Sequence, residues 1–168
     1  MRTFSVHDYP LEDGDAVCDA KFRVRLPSNW ASYYLKRNCE EAEGARLVVT
    51  SLNREDILLF HSEDFIAYRT HLTEAGDQDD VLDSLRLWGG EAQLDRNGRF
   101  ILPSRVRTAF PDLPGTEIKI ISRLPVCLVS LKKYTERNQK LEQSDELHNR
   151  AKLQFVQSLK PQQSEGRL

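Results

Sequence analysis

DAKFRVRLPS at residues 19–28 and DRNGRFILPS at residues 95–104 are two copies of one pattern. At a constant offset of 76, Asp19 matches Asp95, Arg23 matches Arg99, and Leu26-Pro27-Ser28 matches Leu102-Pro103-Ser104. Self-similarity at a fixed spacing marks a duplicated structural unit, so it constrains the fold before any single element is considered. The order of elements after each copy is also the same. A short helical segment comes first, then two apolar runs, then a helix. The runs are LVVTSL (47–52) and ILLF (57–60) in the first half, EIKIIS (117–122) and VCLVSL (126–131) in the second. SEDFIAYRTHL and KKYTERNQKL follow them at an offset of 69, with Phe65 over Tyr134 and Leu72 over Leu141, so the halves differ in loop length.

The local signals are ordinary ones. The four runs are β-branched and apolar, bounded by polar or turn residues, and read as strands. NRED and RLP between them have hairpin length, which predicts a compact β-meander capped by a helix in each half. RFILP ends at a proline that opens a helical segment, where a missing N–H costs nothing. Between the halves, Val81, Leu82, Leu85 and Trp88 recur at helical spacing after an Asp cap candidate, and Gly89-Gly90 stops the helix. Trp30, Tyr33 and Tyr34 are expected to pack the first short helix on the sheet. From Ser130 the pattern predicts helix to about Leu159, with Tyr134, Leu141, His148, Ala151, Phe155 and Leu159 on one stripe. The boundaries that follow are 1–76 for the first repeat, 77–90 for the linking helix and 91–160 for the second repeat with its helix. Residues 161–168 form a polar tail expected to be disordered.

With 168 residues, 24 Lys+Arg and 26 Asp+Glu, the chain carries a net charge of −2, which by itself argues against nucleic acid. The charge is segregated, however. Lys21, Arg23 and Arg25 crowd around Asp19, and Arg96, Arg99, Arg105 and Arg107 follow Asp95. The acids gather elsewhere, at 8–15, 40–43 and 77–83. Such a protein meets a polyanion through one face and repels it elsewhere. No run reaches the ~20 apolar residues of a membrane span, and the N-terminus has no apolar secretory core. Three cysteines (Cys18, Cys39, Cys127), odd and widely spaced, read as reduced cytosolic thiols.

D-x-x-x-R sets an acid and a guanidinium four residues apart across a tight turn between strands. Asn97-Gly98 is a strong turn pair, with Gly98 where φ is positive. The aspartate accepts turn N–H groups and restrains the arginine, a planar five-donor group suited to phosphate or a guanine edge. One isolated copy more often ties a turn than binds a ligand. Two copies on a duplicated unit make a two-point binding surface.

Asp19-Ala20-Lys21-Phe22-Arg23 with Leu26-Pro27, and Asp95-Arg96-Asn97-Gly98-Arg99 with Phe100-Ile101-Leu102-Pro103, resemble the two D-x-x-x-R motifs of the MraZ family. The resemblance covers roughly residues 4–155. The second motif fits the family's glycine-bearing form, whereas the first has Phe22 at the glycine position. The resemblance implies an α+β fold of two pseudo-symmetric swapped-hairpin repeats of AbrB type, forming a small barrel-like core with a linking helix and a long C-terminal helix. It implies a transcriptional regulator, nucleoid-associated, that binds double-stranded DNA at direct repeats in the promoter of the division and cell-wall gene cluster. It implies a ring-shaped homo-oligomer; binding is expected to need neither metal nor cofactor. Carried onto this chain, Arg23 and Arg99 are the DNA contacts, Asp19 and Asp95 their organisers, and Lys21 a phosphate contact. Arg25, Arg96, Arg105 and Arg107 are weaker candidates from local charge.

The alternative is a protein–protein assembly module that keeps the fold without DNA binding; Phe22 and the acidic opening segment favour it. An enzyme has less support. His7, His61, His71 and His148 form no ligand pattern and are expected on the surface or in helices. Asp77, Asp79, Asp80 and Asp83 suit a helix start, and Cys39 lacks a histidine nearby in sequence. Glycine-rich phosphate loops and nucleophile elbows are missing from the sequence.

Overall fold

The computed structural model describes residues 10–37, 44–76, 78–123, 125–142 and 144. Residues 1–131 form one unit, in which β1 (Gly14–Cys18) and β2 (Arg23–Arg25) precede α1 (Ser28–Lys36). β3 (Ala45–Thr50) and β4 (Ile57–His61) lead into α2 (Ser62–Ala75) and then α3 (Asp79–Leu87). The order then recurs as β5 (Gly90–Leu94), β6 (Arg99–Ile101), α4 (Ser104–Ala109), β7 (Glu117–Ile121) and β8 (Val126–Ser130). A second unit, residues 132–168, holds nearly all of α5 (Leu131–Glu142). The rest of the expected C-terminal helix, with His148 to Leu159, and the tail lie outside the described residues, as do His7, Cys39 and Asp77.

Every strand pair is antiparallel, in the order β5-β3-β4-β8-β7-β1-β2-β6. The two end strands, β5 and β6, are consecutive in the chain. In the turn between them the Asp95 N–H donates to the Arg99 carbonyl at 2.8 Å. The protein is therefore α+β, with a nearly closed, barrel-like sheet among the described residues.

A self-contained meander in each half does not form. β2 pairs with β6 rather than β3, and β3 pairs with β5. β1 and β4 take partners from the other half as well, β7 and β8. The expected hairpins β3–β4 and β7–β8 are present. Short loops enforce those hairpins, but α1 and α4 separate the other strands and leave their partners open. Alternation specifies which face is buried, not which strand lies alongside.

Two hydrophobic layers result. The larger holds Leu47, Val49, Leu59, Ile118, Ile120 and Leu128, with Val24 and Phe100 from the motif strands. α1 adds Trp30 and Tyr34, both fully buried as their spacing predicts, and α4 adds Val106. Burying side chains of this size contributes about 1.5–3 kcal/mol each. The smaller layer has Leu58, Phe60, Leu85 and Cys127 at its centre, with Phe65, Tyr68 and Leu72 of α2 packed on it. Phe60 lies 5.3 Å from both the Phe65 and Tyr68 rings, within the range of favourable aromatic pairs. Arg37, after α1, is tied to α2: its guanidinium donates to both carboxylate oxygens of Asp64, the Nη2–Oδ1 bond being 2.6 Å.

Several helix starts differ from expectation. Pro27 and Pro103 sit one residue before α1 and α4, in extended backbone, and their carbonyls accept from Ala31 at 2.9 Å and Arg107 at 3.0 Å. α3 has Gln78 at its N-cap and no capping side chain. Asp79 and Asp80 instead occupy its first turn, where their charge complements the helix dipole. His61, expected on the surface or in a helix, is buried at the end of β4, and its Nδ1 accepts the Glu63 N–H at 3.3 Å to cap α2.

Candidate nucleic-acid interface

The two D-x-x-x-R motifs fold into the same hairpin turn. In the first, Asp19 Oδ1 accepts the N–H groups of Lys21 (2.8 Å) and Arg23 (3.0 Å), and Arg23 Nε donates to Oδ2 at 2.6 Å. In the second, Asp95 Oδ1 accepts from Asn97 (2.8 Å) and Arg99 (2.9 Å), and Arg99 Nε donates to Oδ2 at 3.2 Å. The Arg23 backbone N–H, and then its side chain and the Lys21 N–H, hold the Asp19 carboxyl below its ordinary 3.8. Burial pushes Asp95 up, but the Arg99 and Asn97 N–H groups and the Arg99 charge outweigh it and leave it lowered too. Ion pairs this exposed contribute little stability. Their effect is geometric, holding each guanidinium by Nε so that both Nη groups remain free to face outward.

The fourth residue of each motif has positive φ, 73° at Gly98 and 57° at Phe22. For a non-glycine residue that conformation costs of order 1–3 kcal/mol. The surroundings of the two turns explain why the residues differ. A Cβ on Gly98 would come within 2.8 Å of the Ala31 Cβ, so α1 leaves no room there. At Phe22 the facing residue is Arg107 of α4, whose guanidinium carbon lies 5.9 Å from the ring centroid. Phe22 also packs against the main core.

β2 and β6 lie side by side, with Arg23 opposite Ile101, Val24 opposite Phe100 and Arg25 opposite Arg99. Val24 and Phe100 point inward, so Arg23, Arg25, Arg99 and Ile101 share the outer face of one two-stranded ribbon. Arg23 and Arg99, with side chains 49% and 48% exposed, line a single shallow depression of about 280 Å³ together with Gln93, Asp95, Phe100 and Ile101. The structure thus brings both motif arginines together. Lys21 and Arg96 are exposed in the two turns. Acids occupy strands near the ribbon: Asp15 on β1 pairs with Lys119, Glu91 is exposed on β5, and Glu117 is exposed on β7, one strand beyond β1.

Arg105 and Arg107 are placed differently. Arg105 Nη1 donates to the Arg86 carbonyl at 2.9 Å, at the end of α3, and Arg107 lies over Phe22. Sequence reasoning missed Gln93, Ile101 and Val17, which is exposed on β1 opposite Arg25. Strand alternation around the motifs was the available signal for all three.

Among the described residues no group of three or more His, Cys, Asp and Glu is placed to hold a metal ion, and no helix is long and apolar enough to cross a membrane. Cys18 and Cys127 are buried and in no disulfide among the described residues, and burial, then the Asp19 charge, pushes Cys18 up to about 11. A thiol so shifted is a poor nucleophile. Compared with known proteins, the chain matches no family profile and no curated protein.

Proposed function

We propose that the chain is a sequence-specific transcriptional regulator of MraZ type that binds double-stranded DNA through the β2–β6 ribbon. One observation carries this reading: Arg23 and Arg99, from the two copies of the motif, stand on one outward face and line one depression. A two-stranded antiparallel ribbon fits the major groove, about 12 Å wide, and an arginine held by Nε presents a fork to guanine or phosphate. Arg25, Lys21 and Arg96 add charge for the phosphates, while Asp19 and Asp95 organise the forks. The acids on flanking strands confine the contact to the ribbon. The reading involves neither metal nor cofactor.

The strand pairing supports two swapped-hairpin repeats related by a pseudo-twofold axis. Under the offset of 76, Val24 is opposite its own equivalent, Phe100. Exchanging the halves, with β3 and β7 offset by 71, also turns the β1–β7 pair into the β5–β3 pair. A ring-shaped homo-oligomer on promoter direct repeats, at the division and cell-wall gene cluster, would add avidity to few contacts per subunit.

The DNA immediately upstream of the gene provides the test, in a footprint against a scrambled duplex of equal length. Protection of short direct repeats spaced near one helical turn is the expected result; equal binding to the scrambled duplex contradicts it. A second reading, a protein-assembly surface, is favoured by Val17 and Ile101, each 55% exposed on the same outer face as the arginines. It predicts salt-insensitive capture of a protein partner and no shift of the upstream DNA.

A further inference from the structure

We propose that Arg107 is the positioning residue of the first motif, standing in for the glycine that the motif lacks. The inference rests on the DNA-binding reading for its functional consequence, but its structural part is independent of it. Phe22 and Gly98 are equivalent under the offset of 76, and so are Ala31 and Arg107. Each motif turn therefore abuts the helix of the opposite repeat at the same place. Gly98 meets Ala31, and Phe22 meets Arg107.

The two pairs are complementary in size. Glycine beside alanine fills the contact in the second turn, where a Cβ would lie 2.8 Å from the Ala31 Cβ. Phenylalanine beside arginine fills it in the first, with the planar cation over the ring face. Arg107 Nε is buried and has no hydrogen-bond partner among the described residues, and the guanidinium carbon of the same group lies over the Phe22 ring. Its position and the ring's fix each other. Phe22 remains at φ 57° because its ring is gripped between Arg107 and the core. The backbone of the same turn is tied to the neighbouring strand: the Phe22 carbonyl accepts the Leu102 N–H at 3.0 Å, two residues before α4 begins, just as the Gly98 carbonyl accepts the Leu26 N–H at 2.8 Å. Arg107 thus acts on DNA through Arg23, the residue after Phe22, and not by touching a phosphate.

Amide exchange on the free full-length chain and DNA titration together test this. Arg107→Ala, and the length-preserving Arg107→Met, are expected to speed exchange at Lys21 and Arg23 while leaving Asn97 and Arg99 unchanged. DNA affinity falls about tenfold, the factor carried by 1.4 kcal/mol. Phe22→Gly added to either variant restores both, because glycine takes positive φ without a grip on its side chain. Arg107→Ala placed on Arg23→Ala costs no further affinity. Unchanged exchange at Lys21 and Arg23, or a loss of affinity that Phe22→Gly does not restore, overturns the proposal and marks Arg107 as a direct phosphate contact or a bystander. If Arg23→Ala alone leaves DNA binding intact, the DNA-binding reading fails, while the exchange data still decide the grip on Phe22.

Discussion

Arg25 of β2 stands directly opposite Arg99 of β6, like charge against like charge on the exposed face of a paired ribbon. Asp95 neutralises Arg99 in part, at 3.2 Å, whereas Arg25 has no ion pair among the described residues. Like charges directly opposite each other across a strand pair are destabilising. A bound polyanion would remove that cost, so under the proposed DNA-binding function the pair trades stability for binding. Arg25→Thr is therefore expected to raise the melting temperature by about 1–3 °C. The same variant weakens DNA binding. A calorimetric melt beside a DNA titration checks both signs, and a variant that gains neither stability nor loses affinity contradicts the assignment.

Asp19 and Asp95 make the turns acid-sensitive in one direction only. Their folded values lie below the ordinary 3.8, so the stabilisation is fully present above that value. It is lost as pH falls through the lower folded values. Amide protection at Arg23 and Arg99 should be flat above about pH 5 and decline only in stronger acid. Replacing either aspartate by asparagine abolishes this acid limb at its own turn and leaves the other turn intact. A midpoint near neutrality in wild type would show that some other group controls the turns.

Gly98→Ala meets both a positive φ of 73° and the Ala31 methyl at 2.8 Å. The expected loss is about 1–3 kcal/mol, read as a lower midpoint in urea unfolding with unchanged m-value. Ala31→Gly in the same background recovers the steric part and leaves the conformational part. Phe22→Gly, in contrast, is expected to be well tolerated while Arg107 is present. Equal stability of wild type and Gly98→Ala would mean that the second turn has room that its backbone geometry denies.

Fold and site separate at Arg37. Burial works against its charge, but the Asp64 bonds outweigh this and raise its value above the ordinary one. Asp64→Ala leaves the guanidinium with Glu63 at 3.9 Å and the Tyr33 hydroxyl at 3.3 Å. A loss of about 1–2 kcal/mol follows, discounted because Asp64 is 40% exposed. DNA affinity should not change, since the pair joins α1 to α2 and lies outside the ribbon. A tenfold change in affinity would place the interface elsewhere.

Much of this was legible in the chain. The two similar decapeptides, with the spacing of Asp19 to Arg23 and Asp95 to Arg99, foretold turns in which each carboxylate holds its arginine. Apolar runs located β3, β4, β7 and β8 to within a residue or two. Strand partnership was not legible, because Val24 and Phe100 alternate correctly whether their strands meet or not. The grip of Arg107 on Phe22 was hidden as well. It joins residues 85 positions apart, and only the misfit of phenylalanine in a glycine position hinted that something held it. The net charge of −2 concealed a basic ribbon, since a whole-chain sum carries no information about which strand faces outward.

Under the proposed function, Arg23 and Arg99 together form the DNA contact. A salt series of binding to the upstream repeats, for wild type and the Arg23→Ala/Arg99→Ala double variant, tests it most directly. The double variant is expected to bind at least about tenfold more weakly, with a log–log salt slope shallower by about 2, as two lost phosphate contacts require. A double variant that binds as tightly as wild type, with the same slope, contradicts it.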